Sequence, residues 1–139
     1  MSGPTQPDPQ YWGEALLWLE RADEDLRLAE RILADIDFSA SAAFHCQQAA
    51  EKMAKAVLVA FRADYPRIHD IAELGREVAV IHPDLGQQIA DLSGLTDWYI
   101  TSRYPGLEYS ASQEDTRFAV QKLKNLRQQI NSLAPKRSE

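Results

Sequence analysis

The chain has little cysteine, few glycines and no long apolar run, and each shortage excludes something. One cysteine, Cys46, among 139 residues rules out an internal disulfide and any metal site built from several thiolates. The six glycines form no phosphate-cradling loop, and neither G-x-S-x-G nor H-E-x-x-H occurs, so the common nucleotide-loop, hydrolase and zinc-protease motifs are absent. No stretch approaches the ~18 uninterrupted apolar residues of a membrane-spanning helix. The opening "MSGPTQPDPQ" has neither the basic nor the apolar region of a secretory signal, so the expectation is a cytoplasmic protein without a membrane partner. Basic residues are outnumbered, 15 against 21 acidic, for a net charge of −6. That balance argues against general coating of nucleic acid or anionic membrane and leaves room for a local basic site. Carboxylates are plentiful but scattered, and no pair stands out for acid–base work. No cofactor and no metal is expected.

What is present is helical periodicity. Residues 1–9, with three prolines, read as a loose tail, and 135–139 as a frayed end. Between them, 10–134 reads as one domain. Trp12, Ala15, Leu19, Ala22, Leu26, Ala29 and Leu33 alternate steps of three and four, the spacing of a helix with one apolar stripe. "DIDFS" breaks it, and Ser39 or Ser41 can cap a second helix that runs to about Arg62, before Pro66. Its alanines predict close helix–helix contact. Asp70 and Glu73 have the form of a capping box opening a short helix to about Val80. Pro83 suits the first position of a fourth helix, with a break at Ser93-Gly94 and a further segment through "WYITSRY". Ser110 or Ser112 opens a last helix carrying Ala119, Leu123, Leu126, Ile130 and Leu133. There is no alternating strand pattern and no internal repeat. The expected fold is all-α, an up-and-down antiparallel bundle of four long helices plus a short one.

The second helix poses the functional question. In "HCQQAAEKMAK", His45, Gln48, Lys52 and Lys55 fall within about 80° of one another at 100° per residue. From Glu51 to His69, Lys52, Lys55, Arg62 and Arg67 stand against Glu51 and Asp64, a local surplus of two positive charges in an acidic chain. One reading is a solvated face with a Glu51–Lys55 pair. The other is an anion site in which ammonium and guanidinium groups bind phosphate, with His69 beside a helix start adding a donor or a titratable group. A second cluster, "TSRYPGLEY", sets Arg103 beside Tyr104, a phosphate contact next to a stacking surface. Its alternative is a helix C-terminus where Arg103 complements the dipole. His45 and Cys46 are adjacent and diverge by about 100° on a helix, which argues against shared metal ligation. Cys46 reads as a small buried hydrophobe, His82 as a loop residue, and the tryptophans as packing or interface residues.

"AFHCQQAAEKMAKAVLVAF", "YPRIHDIAEL" and "WYITSRYP", in that order and spacing, resemble the HEPN domain family over roughly Tyr11 to Leu133. The resemblance implies a helical bundle, usually a homodimer, associated with nucleotide or RNA binding. Many members are encoded beside an MNT-type nucleotidyltransferase, and some such pairs act as toxin and antitoxin. The ribonuclease branch, which is metal-independent, carries an R-x(4–6)-H pattern that Arg62 and His69 fit in spacing. Ala63, Pro66 and the Asp70-Ile71 pair, where toxin-type members carry a tyrosine, set this chain nearer the nucleotide-binding branch. Three expectations follow. One is a binding module presenting Lys52, Lys55, Arg62, Arg67, His69, Arg103 and Tyr104. Another is a ribonuclease toxin using Arg62 and His69. The third is a non-catalytic adaptor for a protein partner.

Overall fold

The computed structural model describes residues 6–34, 39–64, 70–95 and 113–135. Among them are five helices and no strand: α1 (Pro9–Ile32), α2 (Ser39–Ala60), α3 (Ile71–Ile81), α4 (Pro83–Ala90) and α5 (Gln113–Asn131). The all-α bundle expected from the sequence is the fold. Three of the described helices are long. The fourth is only eight residues, ending at Ala90 with Asp91 as its C-cap, and helix resumes at Gly94-Leu95 after the turn. The "WYITSRY" segment lies outside the described residues.

Local chemistry sets the helix ends. Asp8 caps α1, its Oδ1 accepting from the Gln10 N–H at 2.9 Å. Asp70 caps α3 by accepting from the Ala72 and Glu73 N–H groups, satisfying two of the donors a helix start leaves free. Pro83 occupies the first turn of α4. His82 there is a cap rather than a loop residue: its Nδ1 accepts from the Leu85 N–H at 3.2 Å.

α2 is the central helix and packs on α1, α3 and α5. Sequence periodicity gave it a buried side and a polar side, yet from Ala56 to Phe61 every residue is buried. A helix enclosed by neighbours has no free face to leave polar. Alanines repeat at seven-residue spacing on both members of the main pair, Ala15, Ala22 and Ala29 on α1 and Ala42, Ala49 and Ala56 on α2, all essentially inaccessible. α5 closes the core with Ala119, Leu123, Leu126 and Ile130. It is also tied by ions to α1 through Arg127–Asp23 (2.8 Å) and Lys124–Glu30 (3.0 Å).

α3 and α4 form a tight corner. A Cβ at Gly86 would lie 2.4 Å from the Ala79 backbone, and one at Gly75 would lie 2.8 Å from the Ala90 nitrogen. Only glycine permits that approach.

Candidate functional site

The polar stripe of α2 is not a solvated face. It is a seam packed against α1. Asp25, on α1, is 8% exposed. One of its oxygens accepts from His45 Nδ1 at 2.9 Å and the other from Lys52 Nζ at 2.5 Å. Two residues seven apart on α2 thus grip a single carboxylate on α1, which fixes how the helices slide and rotate against each other. One turn on, Lys55 Nζ donates to Glu51 at 2.7 Å and lies 5.6 Å from the Trp18 ring centre. Gln47 donates to the other Glu51 oxygen at 3.3 Å, and Gln48 donates to Gln47 at 2.8 Å. Asp25 and Glu51 balance Lys52 and Lys55, so with His45 neutral the seam carries no net charge.

Asp25 was missed at the sequence level, although a signal was there. It stands three residues after Ala22 and four before Ala29, which puts a carboxylate on the edge of the apolar stripe. A charge at that position needs a partner, and the stripe on α2 supplies two.

Arg62 has a different setting. α2 ends at Ala60, before the helical spacing reaches Arg62. Ala63 N–H donates to Leu58 O at 2.8 Å and Arg62 N–H to Val59 O at 3.0 Å, while Arg62 itself has φ 61°. This is a Schellman C-cap, whose left-handed position usually belongs to glycine. The guanidinium swings back to the start of α1. It pairs with Asp8 Oδ2 at 3.5 Å and lies 5.1 Å from the Tyr11 ring centre. Asp8 N–H donates to Ala60 O at 2.8 Å, so backbone and side chains together clasp the α1 N-terminus to the α2 C-terminus.

Lys52 and Lys55 therefore share the seam, and Arg62 sits apart from them in the clasp. Arg67, His69, Arg103 and Tyr104 lie outside the described residues. Burial, with the Glu30 carboxylate adding to it, pushes the Cys46 thiol up to about 12, which keeps it protonated and unreactive in the fold. Clefts line the α1–α5 junction (Glu30, Leu33, Ala34, Arg117 and Val120, about 320 Å³) and the groove between residues 91–95 and α5, beside Phe118 and Lys122. Neither includes a residue of the seam or the clasp. Among the described residues there is no cluster of three metal-ligating side chains, and no helix is long and apolar enough to cross a membrane.

A bundle of helices around one enclosed helix, with a charged seam along it, defines the structural class. Within that class, residues 15–133 match the HEPN domain model, and the chain belongs to that family. No curated protein and no solved structure matches it.

Proposed function

We propose that the protein is a non-catalytic HEPN module that binds a nucleotide or RNA phosphate as a homodimer, alongside an MNT-type nucleotidyltransferase. The observation that carries the non-catalytic reading is Arg62. In the ribonuclease reading this arginine stabilises charge on the RNA backbone. Here its backbone holds a helix cap and its guanidinium, more than half exposed, turns back to Asp8 and Tyr11 at the start of α1 rather than to the other basic residues of α2. Lys52 and Lys55 are paired with Asp25 and Glu51, so the residues left to take the phosphate are Arg67, His69, Arg103 and Tyr104.

Calorimetry with ATP, GTP and a short single-stranded RNA tests this. Wild type binds one of them with a sub-millimolar Kd, and Arg67→Ala or Arg103→Ala weakens that binding at least tenfold. No heat with any of the three overturns the reading. Growth arrest on expression, relieved by His69→Ala, replaces it with the ribonuclease toxin.

A further inference from the structure

The outward face of α1 carries, after Gln10, six exposed residues with alternating steps of three and four: Glu14, Leu17, Arg21, Glu24, Leu28 and Arg31. That spacing is a seam for a second helix, and it lies opposite the stripe that α1 buries in its own core. Leu17 is 61% exposed and Leu28 45%. Leu16, less exposed, lies to one side of this stripe on α1, and the exposed Val80 and Phe118 stand on other helices.

The order of the six residues is self-complementary. A two-fold axis crossing α1 midway between Arg21 and Glu24, with the two copies antiparallel, sets Arg21 against Glu24 of the other copy and Leu17 against its Leu28. The outer layer sets Glu14 against the second copy's Arg31. These three layers are then matched, apolar on apolar or acid on base, and each occurs twice, as an isologous contact requires. Within one chain, Arg21 and Glu24 pair only loosely, at 3.8 Å and largely in water. The stripe is about 26 Å long at 1.5 Å per residue, most of the helix.

We infer that α1 is a homodimer interface and that its occupant is the α1 of a second copy, antiparallel about the Arg21–Glu24 midpoint. This deepens the homodimer part of the reading above and rests on that part alone, not on the ligand. The charged layers fix direction and register, since a parallel arrangement in register would set each charge against its own kind.

The test exploits that pairing. Arg21→Glu with Arg31→Glu makes an all-acidic stripe, and Glu14→Arg with Glu24→Arg makes an all-basic one. All four substitutions are at exposed positions, so each variant melts near wild type. In sedimentation at ~100 µM wild type is a dimer, each variant alone dimerises at least tenfold more weakly, and an equimolar mixture regains a dimer containing both. A second measurement fixes the register: Leu17→Cys chains oxidised together with Leu28→Cys chains cross-link to each other, and neither links to itself. If wild type is dimeric and both charge variants dimerise as well as it does, the α1 face is overturned while the homodimer stands. If the variants melt normally but their mixture stays monomeric, or the cysteine chains fail to cross-link, the antiparallel pairing is overturned. A monomeric wild type overturns both.

Discussion

At the α3–α4 corner two helices meet where side chains are missing. Between α1 and α2 they meet across alanines bordered by a charged seam. The corner depends on Gly75 and Gly86, whose backbones press on Ala90 and Ala79 with no room for one more carbon. The seam depends on Asp25 accepting from both His45 and Lys52. Both devices fix a helix pair in one relative position. Their failure differs in kind: an added atom breaks the corner, and a removed partner breaks the seam.

The sharpest way to break the comparison is Gly86→Ala. Its methyl would fall 2.4 Å from Ala79 main-chain atoms, which cannot rotate aside as a side chain can. The helices must separate, at a cost of about 3 kcal/mol, the upper end of overpacking effects. Chemical denaturation checks this, and a loss below about 1 kcal/mol would mean that the corner opens freely.

Next in size is the seam. Asp25→Ala leaves Lys52 and His45, each about a quarter exposed, with no acceptor. Partial exposure lets them reach water, so the expected loss is about 2 kcal/mol, below the range for a fully buried pair. Asp25→Leu combined with Lys52→Met removes both charges and restores part of that loss, because the desolvation cost of the lysine disappears with the pair while His45 still lacks its acceptor. A double variant as unstable as the single would show that the ion pair itself, and not merely its completeness, holds α1 on α2.

The same contrast explains how much of the fold was legible in advance. Helix starts were readable where one short side chain decides them. Asp70 with Glu73 and Pro83 mark the starts of α3 and α4, and both stand where local chemistry puts them. The α4 end was less legible, because Leu92 continues the apolar spacing after the helix has stopped. The polar stripe of α2 was visible, but its counterpart was not. Whether Lys52 faces water or a carboxylate depends on Asp25, 27 residues away, and periodicity within one helix carries no information about the helix beside it. Arg62 failed for another reason. Running the second helix to about Arg62 carries it two residues past its end at Ala60, into a left-handed cap that periodicity does not show.

Arg62→Gly is the smallest expected effect and the most discriminating for the site. Glycine relieves the strain of a side chain at φ 61°, about 1 kcal/mol for a single residue. Against that stand the lost pair with Asp8, worth little where the arginine is more than half exposed, and the lost packing on Tyr11. The two sides nearly cancel, so stability shifts by less than about 1 kcal/mol. Hydrogen exchange at Asp8 and the first turn of α1 quickens, because the side-chain half of the clasp has gone while the Asp8–Ala60 bond remains. Nucleotide affinity stays within twofold of wild type if Arg62 is spent on the clasp. A tenfold loss of binding with unchanged stability would return Arg62 to the phosphate surface and move the site toward the end of α2.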